Sequence, residues 1–464
     1  MSENKSERRE ALLFSQKNGY DKTQETEQIE MYSQEYMEFL DEARTERLSV
    51  SAAIRLAEKK GFVPLEPGVE LKPGARVYKS NRGKALMLAV IGEKPLEHGV
   101  VIAAAHVDAP RLDLKQVPLY EDSELSYFKT HYYGGIKKYQ WLSIPLELHG
   151  VVVKPDSTVV DISIGQDKSD PVLTITDLLP HLAADQIKKP LGEAIPGEGL
   201  NLLLGSKPDA EEGADRVKLA VMSILNEKYG ITEEDFLSAE LSAVPALPTR
   251  DVGLDRSLIG GYGHDDRVCS FAALKAVLDC GTPDRTAVCV LADKEEIGSE
   301  GVSGMKSQAF ELFVEELAGS AGVNLSKCFE NSLCISADVC NGFDPNYPEV
   351  SEKRNNAKLN YGVGITKYTG QRGKSGSNDA NAETVAFLRR VFEKNGVVWQ
   401  TAELGKVDQG GGGTVAMFMA QRNIDTIDAG VPVLSMHAPY EIVSKLDCYM
   451  TYKAIKSVFA ESLD

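Results

Sequence analysis

The sequence predicts an α/β protein in which a mixed-sheet domain is interrupted by an inserted β-rich domain. Short apolar runs ending in acidic or histidine residues recur at VIAAAHVDAP, VLADKEEIGS, LCISADVCN and VPVLSMHAP, and each reads as a buried strand. Helical patterns such as DDRVCSFAALKAVLDC alternate with them. Between about 115 and 250 the texture changes to short β patterns separated by Gly- and Asp-rich turns.

Taken in order, residues 1–60 read as polar and helical, ending in SVSAAIRLAEKKG with Ser49 or Ser51 as the cap. The first twenty-odd residues read as a mobile arm. Strand patterns follow at RVYK, KALMLAVIG and VVIAAAHVD. Near Pro118 the pattern switches to WLSIPLELHGVVV, TVVDISIG and PVLTITDLL, then to an acidic, helix-prone stretch over 207–240. The α/β rhythm returns near 253. The expected division is therefore 1–114 and 253–464 as two parts of one domain, with 115–252 inserted. His106 and Asp265 lie roughly 160 residues apart, room for a whole domain.

The 464 residues carry 51 Lys and Arg against 69 Asp and Glu, a formal charge of −18. That balance disfavours nucleic acid and anionic membranes as partners. All seven cysteines lie beyond residue 268 and none forms a CxxC pair. A thiolate zinc knuckle is therefore not expected, and a reduced, cytoplasmic protein is. The first twenty residues lack the apolar core of a secretion signal, and no run of eighteen apolar residues occurs.

The strand ends supply His106, Asp108, Glu295, Glu296, Asp338 and His437; Asp265 instead precedes a helical pattern. In open α/β sheets functional groups collect at the carboxyl ends of strands. Two divalent ions about 3.5–4 Å apart need a bridging ligand, terminal ligands and room for water. Asp265 is the natural bridge, with His106 and Asp338 completing one ion's set and Glu296 and His437 the other's. Three carboxylates on two dications leave one positive charge, which a bridging hydroxide would neutralise. Nitrogen and oxygen donors without thiolate suit Zn, Co or Mn. Glu295, adjacent to Glu296, diverges from it if the segment is extended and becomes the general base. Asp108 is placed to hold the His106 ring. Taken singly, an EE pair reads as solvated surface, DD as a helix cap and MH as a core histidine; the conjunction points to a dimetal hydrolase. The glycines 410–413 precede a helix-like TVAMFMAQ and read as a substrate loop, since the run lacks the GxxxxGK[ST] pattern of a phosphate loop.

The segments AAHVDAPRLDLK, KTHYYGGIKKYQW, ITDLLPHL, GYGHDDRVCS, DKEEIGSEG, ISADVCNGFDPNYP, GKSGSNDANAE, ELGKVDQGGGGT and SMHAPYE together resemble the M18 metallopeptidases, the aspartyl aminopeptidase and aminopeptidase I group. The resemblance covers nearly the whole chain past residue 60. It implies a dimetal aminopeptidase catalytic domain with an inserted β-rich domain, two zinc ions (Co or Mn in their place), and release of N-terminal residues from peptides. It also implies a homo-oligomer, a tetrahedral dodecamer built from dimers. His106, Asp265, Glu296, Asp338 and His437 fall on the family's metal positions and Glu295 on its catalytic carboxylate. His181, otherwise an ordinary partly buried histidine, falls on one that reaches across a subunit interface to the substrate oxyanion. HDDR at 264–267 departs from the LDN of many members. Lys367, Arg372 and Lys374 would favour acidic first residues if they faced the pocket; the segment as a whole resembles the aminopeptidase I branch, which implies a neutral or broad preference. The alternatives are a dimetal amidohydrolase or carboxypeptidase acting on N-acylated amino acids, and a non-catalytic assembly or cargo shell.

Overall fold

The computed structural model describes residues 8–463 apart from 10, 320 and 321. The remaining residues of the expected N-terminal arm, 1–7 and 10, lie outside the described residues. The chain has a mixed α/β architecture. Its centre is a nine-stranded sheet whose middle strands, Ala287–Ala292, Val101–His106, Leu333–Ser336 and Asp425–Gly430, run parallel. Strands covered on both faces must be apolar on both. Accordingly Val101, Ala103 and Ala105 enter one core, while Ile102 and Ala104 enter the other. Helices His264–Leu278 and Lys445–Phe459 cover the first face, and Ala309–Leu317 and Ala416–Ala420 the second.

Helix Thr26–Glu42 buries Ile29, Tyr32, Ser33, Tyr36, Phe39 and Leu40, a single stripe at helical spacing. That stripe closes on Phe271, with ring centroids 5.4 Å from Tyr32, 5.6 Å from Tyr36 and 5.1 Å from Phe39. Each such aromatic contributes roughly 1.5–3 kcal/mol by burial. The next helix, Glu46–Lys59, is capped by Thr45, whose hydroxyl accepts from Leu48 N–H, and not by Ser49 or Ser51. Ser49 lies inside the helix and donates back to the Thr45 carbonyl.

A six-stranded antiparallel sheet is built from residues 111–245, in the order Val159–Ile164, Leu146–Val153, Ala239–Pro245, Arg111–Asp122, Leu125–Tyr133, Leu202–Gly205. It encloses its own core around Phe128, Trp141, Leu148 and Phe236. PVLTITDLL does not form a strand: Leu173 and Thr174 make only isolated bridges, to Leu146 and Leu203. The helix-prone stretch folds as Arg216–Tyr229. Three ionic ties fasten this sheet to the N-terminal helices: Arg44 to Glu147 at 3.1 Å, Arg111 to Glu46 at 3.2 Å, and Arg47 to Glu240. A third sheet orders Arg250–Val252, Leu258–Gly261, Glu441–Ser444, Pro432–Leu434 and Cys340–Asn341. All seven cysteines are buried and free. Among the described residues, no helix is long and apolar enough to cross a membrane.

Candidate metal centre

Three of the expected site segments end neighbouring parallel strands of the central sheet. His106 is the last residue of its strand and pairs in register with Ala292, three residues before Glu295. Asp338 lies two residues past Ser336, which pairs with Ala104. The other two arrive from the third sheet: Asp265 opens the helix after Leu258–Gly261, and His437 follows Pro432–Leu434. Glu295 and Glu296 sit on a 3₁₀ turn after left-handed Lys294 (φ 67°), so the segment is not extended. The two still diverge: Glu295 Oε2 is 3.8 Å from His106 Nε2 and Glu296 Oε1 is 3.5 Å from His437 Nε2.

Asp265 stands between the histidines, Oδ1 3.3 Å from His106 Nε2 and Oδ2 3.1 Å from His437 Nε2. Potential ligand atoms of His106, Asp265 and Asp338 all lie within 4.8 Å of one another, and so do those of Asp265, Glu296 and His437. The far ring nitrogens have acceptors of their own. His106 Nδ1 faces the Asp108 carbonyl at 3.0 Å and its carboxylate at 3.2 Å, and His437 Nδ1 faces the Gly135 carbonyl at 2.8 Å. These are acceptors only, so each Nδ1 donates there, and Nε2 is the ring nitrogen turned towards Asp265.

Buried carboxylates that contribute no ligand hold the backbone beneath. Asp108 accepts from Glu295 N–H at 3.1 Å, Glu296 N–H at 3.2 Å and the Tyr133 hydroxyl at 2.8 Å. Glu441 accepts from Asp265 N–H at 3.1 Å and His437 N–H at 2.6 Å. Asp266 accepts from His106 N–H at 3.2 Å. The HDDR segment thus has structural work to do. Asp266 holds the His106 strand end, buried Arg267 donates to the Val107 carbonyl at 3.2 Å and covers Tyr262, and His264 meets the Tyr36 hydroxyl at 2.7 Å. Burial pushes His264 down to about 3, keeping it neutral.

The charges among these groups are unbalanced. Burial, with Asp108 and Asp265 adding to it and His106 opposing, raises Glu295 to about 7. Burial and Asp265 raise Glu296 well above the ordinary range, and burial and Asp266 do the same to Asp338. Burial also opposes ionisation of Asp265, but hydrogen bonds to His106 and His437 outweigh it and hold that carboxyl low. Glu296 Oε1 is buried without a hydrogen-bond partner. Carboxylates crowded in this way gain from a dication placed among them.

The centre forms one side of a cavity of about 670 Å³ whose opposite wall is Glu403–Gly405, Gly410–Thr414 and the Tyr368–Gly370 strip. The helix after the glycines is only Ala416–Ala420, so the wall is backbone loop. Arg372 borders the cavity, whereas Lys367 and Lys374 do not; both pair with Asp379, at 2.5 and 2.8 Å. His181 sits exposed on the turn Pro180–Leu182 and does not border its own chain's cavity.

The chain matches the family model described as aminopeptidase I zinc metalloprotease (M18) over residues 39–459. It belongs to the M18 family. A probable M18 family aminopeptidase 1 from Clostridium acetobutylicum is 50% identical over 452 residues, spanning 95% of this chain and 97% of that one. The crystal structure of an M18 aminopeptidase from Thermotoga maritima superposes with a TM-score of 0.94 at 47% identity, over 97% of this chain and 100% of that one. The S. cerevisiae mApe1 dodecamer, at 22% identity and a TM-score of 0.75 over 93% of this chain and 97% of that one, shares the fold. The M18 chain described here is accordingly a zinc metallo-aminopeptidase, an exopeptidase hydrolase.

Proposed function

We propose that this M18 enzyme releases N-terminal residues from peptides with two zinc ions per subunit. His106, Asp265 and Asp338 would hold one ion, and Asp265, Glu296 and His437 the other. The carrying observation is Asp265, whose two oxygens face the two histidines at 3.3 and 3.1 Å. The donors fit zinc: imidazole and carboxylate groups, with carboxyls raised by burial and one oxygen left unpartnered. When bound, the ions supply Lewis acidity and lower the pKa of water.

Glu295 is the proton carrier. It stands beside His106 and takes a proton from the attacking water, then returns it to the departing amine. Asp108 orients His106 and the Glu295–Glu296 turn together. His181 serves a neighbouring subunit's site, steadying the substrate oxyanion. Its exposure supports that role, as do Leu178, Leu179, Leu182, Ile187 and Leu191 around it, each at least 50% exposed and in need of cover. The assembly is a homo-oligomer of dimers closing into a tetrahedral dodecamer, 115–252 forming its inserted domain, and it works in the cytoplasm, where seven free cysteines persist. The first residue accepted is neutral or of broad type. Lys306, Arg372 and Lys406 on the cavity are balanced by Glu403, Asp408 and Asp428, with Met417, Phe418 and Leu404 between them.

A panel of unblocked aminoacyl amides beside their N-acylated forms tests this. Turnover of the free-amine set alone, lost on chelation and restored by zinc, is expected. Turnover confined to the blocked set, or indifferent to chelation, would reject the reading.

A further inference from the structure

The six-stranded sheet reaches the metal centre through three residues at the end of the strand Leu125–Tyr133. We propose that Tyr133, Gly134 and Gly135 form a positioning element that sets both histidines of the centre at once, so that the sheet tunes how tightly the ions are held. This rests on the two-zinc reading above.

Tyr133 acts on the His106 side. Its hydroxyl donates to Asp108 Oδ2 at 2.8 Å, and Asp108 in turn faces His106 Nδ1 and accepts from Glu295 and Glu296 N–H. A carboxylate has about four acceptor positions. Tyr133 occupies one, and without it Oδ2 keeps only the Glu296 N–H at 3.2 Å. Burial and Asp108 push the Tyr133 phenol well above its ordinary value, so it remains a donor. The ring is fixed from behind by Arg111, whose guanidinium carbon lies 4.0 Å from its centroid. Arg111 is itself anchored to Glu46 at 3.2 Å and Asp113 at 2.8 Å.

Gly135 acts on the His437 side through its carbonyl, 2.8 Å from Nδ1. Gly134 between them has φ +74°, and a Cβ there would stand 3.2 Å from Glu296 Oε2. The segment therefore abuts Glu296 and His437 of one ligand set directly and reaches His106 of the other through Asp108, while supplying no ligand itself. Partners of this kind change metal affinity or activity by about 10–100-fold when removed.

The test is zinc transfer from holoenzyme to a competing chelator, with kcat, KM and the melting temperature of the chelated protein measured alongside. Tyr133→Phe keeps the ring under Arg111 and removes one hydroxyl. It should weaken zinc retention about 10–100-fold and lower kcat, with KM within about twofold and the chelated protein melting as the parent does. Gly134→Ala, which adds bulk against Glu296 and removes no polar atom, should also weaken retention. Unchanged retention in Tyr133→Phe overturns the inference, as does a loss that merely follows a lowered melting temperature of the chelated protein. A parent holding fewer than two zinc ions per chain overturns the two-zinc reading and this inference with it. A parent holding two beside an unchanged Tyr133→Phe overturns the inference alone.

Discussion

The two sides of the cavity are held by opposite means. On the ligand side, the backbone N–H groups of His106, Asp265, Glu295, Glu296 and His437 all donate to buried carboxylates, those of Asp266, Asp108 and Glu441. On the facing wall, backbone packs directly on backbone. A Cβ at Gly410 would lie 1.6 Å from the Leu404 carbonyl oxygen, and one at Gly411, where φ is +130°, would lie 2.1 Å from that of Gly370. The difference is instructive: the candidate ligands are preorganised by hydrogen bonds to buried acids, whereas at Gly410 and Gly411 the facing wall closes by glycine backbone packed on backbone. Polar, shape-conserving substitutions should therefore damage the first side, and a single added methyl the second.

The largest effect is expected at Glu295. Glu295→Gln keeps the shape and removes the proposed proton carrier, so kcat should fall by about 10²–10⁴ with zinc content unchanged. Near-parental kcat would take Glu295 out of the reaction. Next is Glu441→Gln. An amide offers one acceptor oxygen where two N–H groups need partners, and zinc affinity should weaken about 10–100-fold. Retention equal to the parent, measured by chelator competition, would mean the ligand backbones hold themselves.

Gly410→Ala probes the other side. Overpacking should cost roughly 1–3 kcal/mol of stability, read as a lowered denaturation midpoint, and should raise KM while zinc content stays constant. Zinc loss in this variant would erase the contrast. The smallest effect belongs to an anchor of a third kind, the half-buried Glu240 between Arg47 and Lys84 on the surface. Burial opposes its ionisation, but hydrogen bonds from Arg47 and Lys84 win and lower it to about 2. Its contribution is therefore complete above the unfolded value near 4.5 and is lost as pH falls towards 2. The melting-temperature gap between the parent and Glu240→Gln should be small at pH 6, shrink between pH 5 and 3, and shrink with added salt. A gap that widens on acidification would contradict the assignment.

Much of the centre was legible in sequence because its members end apolar runs. His106, Glu295, Glu296 and Asp338 stand where the central strands stop, and the helical pattern after Asp265 marked its place. The carboxylates beneath were harder to see. Asp266 and Glu441 touch backbone N–H groups, and a backbone contact leaves no mark on the partner's residue type. Glu441 did carry one signal, an acid inside the apolar run YEIVS. Tyr133 and Gly135 act from another sheet, so topology alone brings them in. The helix cap was read as Ser49 or Ser51 because the apolar pattern starts late; the helix itself starts at Glu46, with Thr45 ahead of it. PVLTITDLL has strand composition, but its pairing amounts to isolated bridges.

The central claim is that one carboxylate, Asp265, serves two ions. Diffraction at the zinc edge from crystals of the zinc-loaded chain tests it most directly. Two anomalous peaks about 3.5–4 Å apart, with one Asp265 oxygen on each, are expected. A single peak, or two peaks with Asp265 on only one of them, would contradict it.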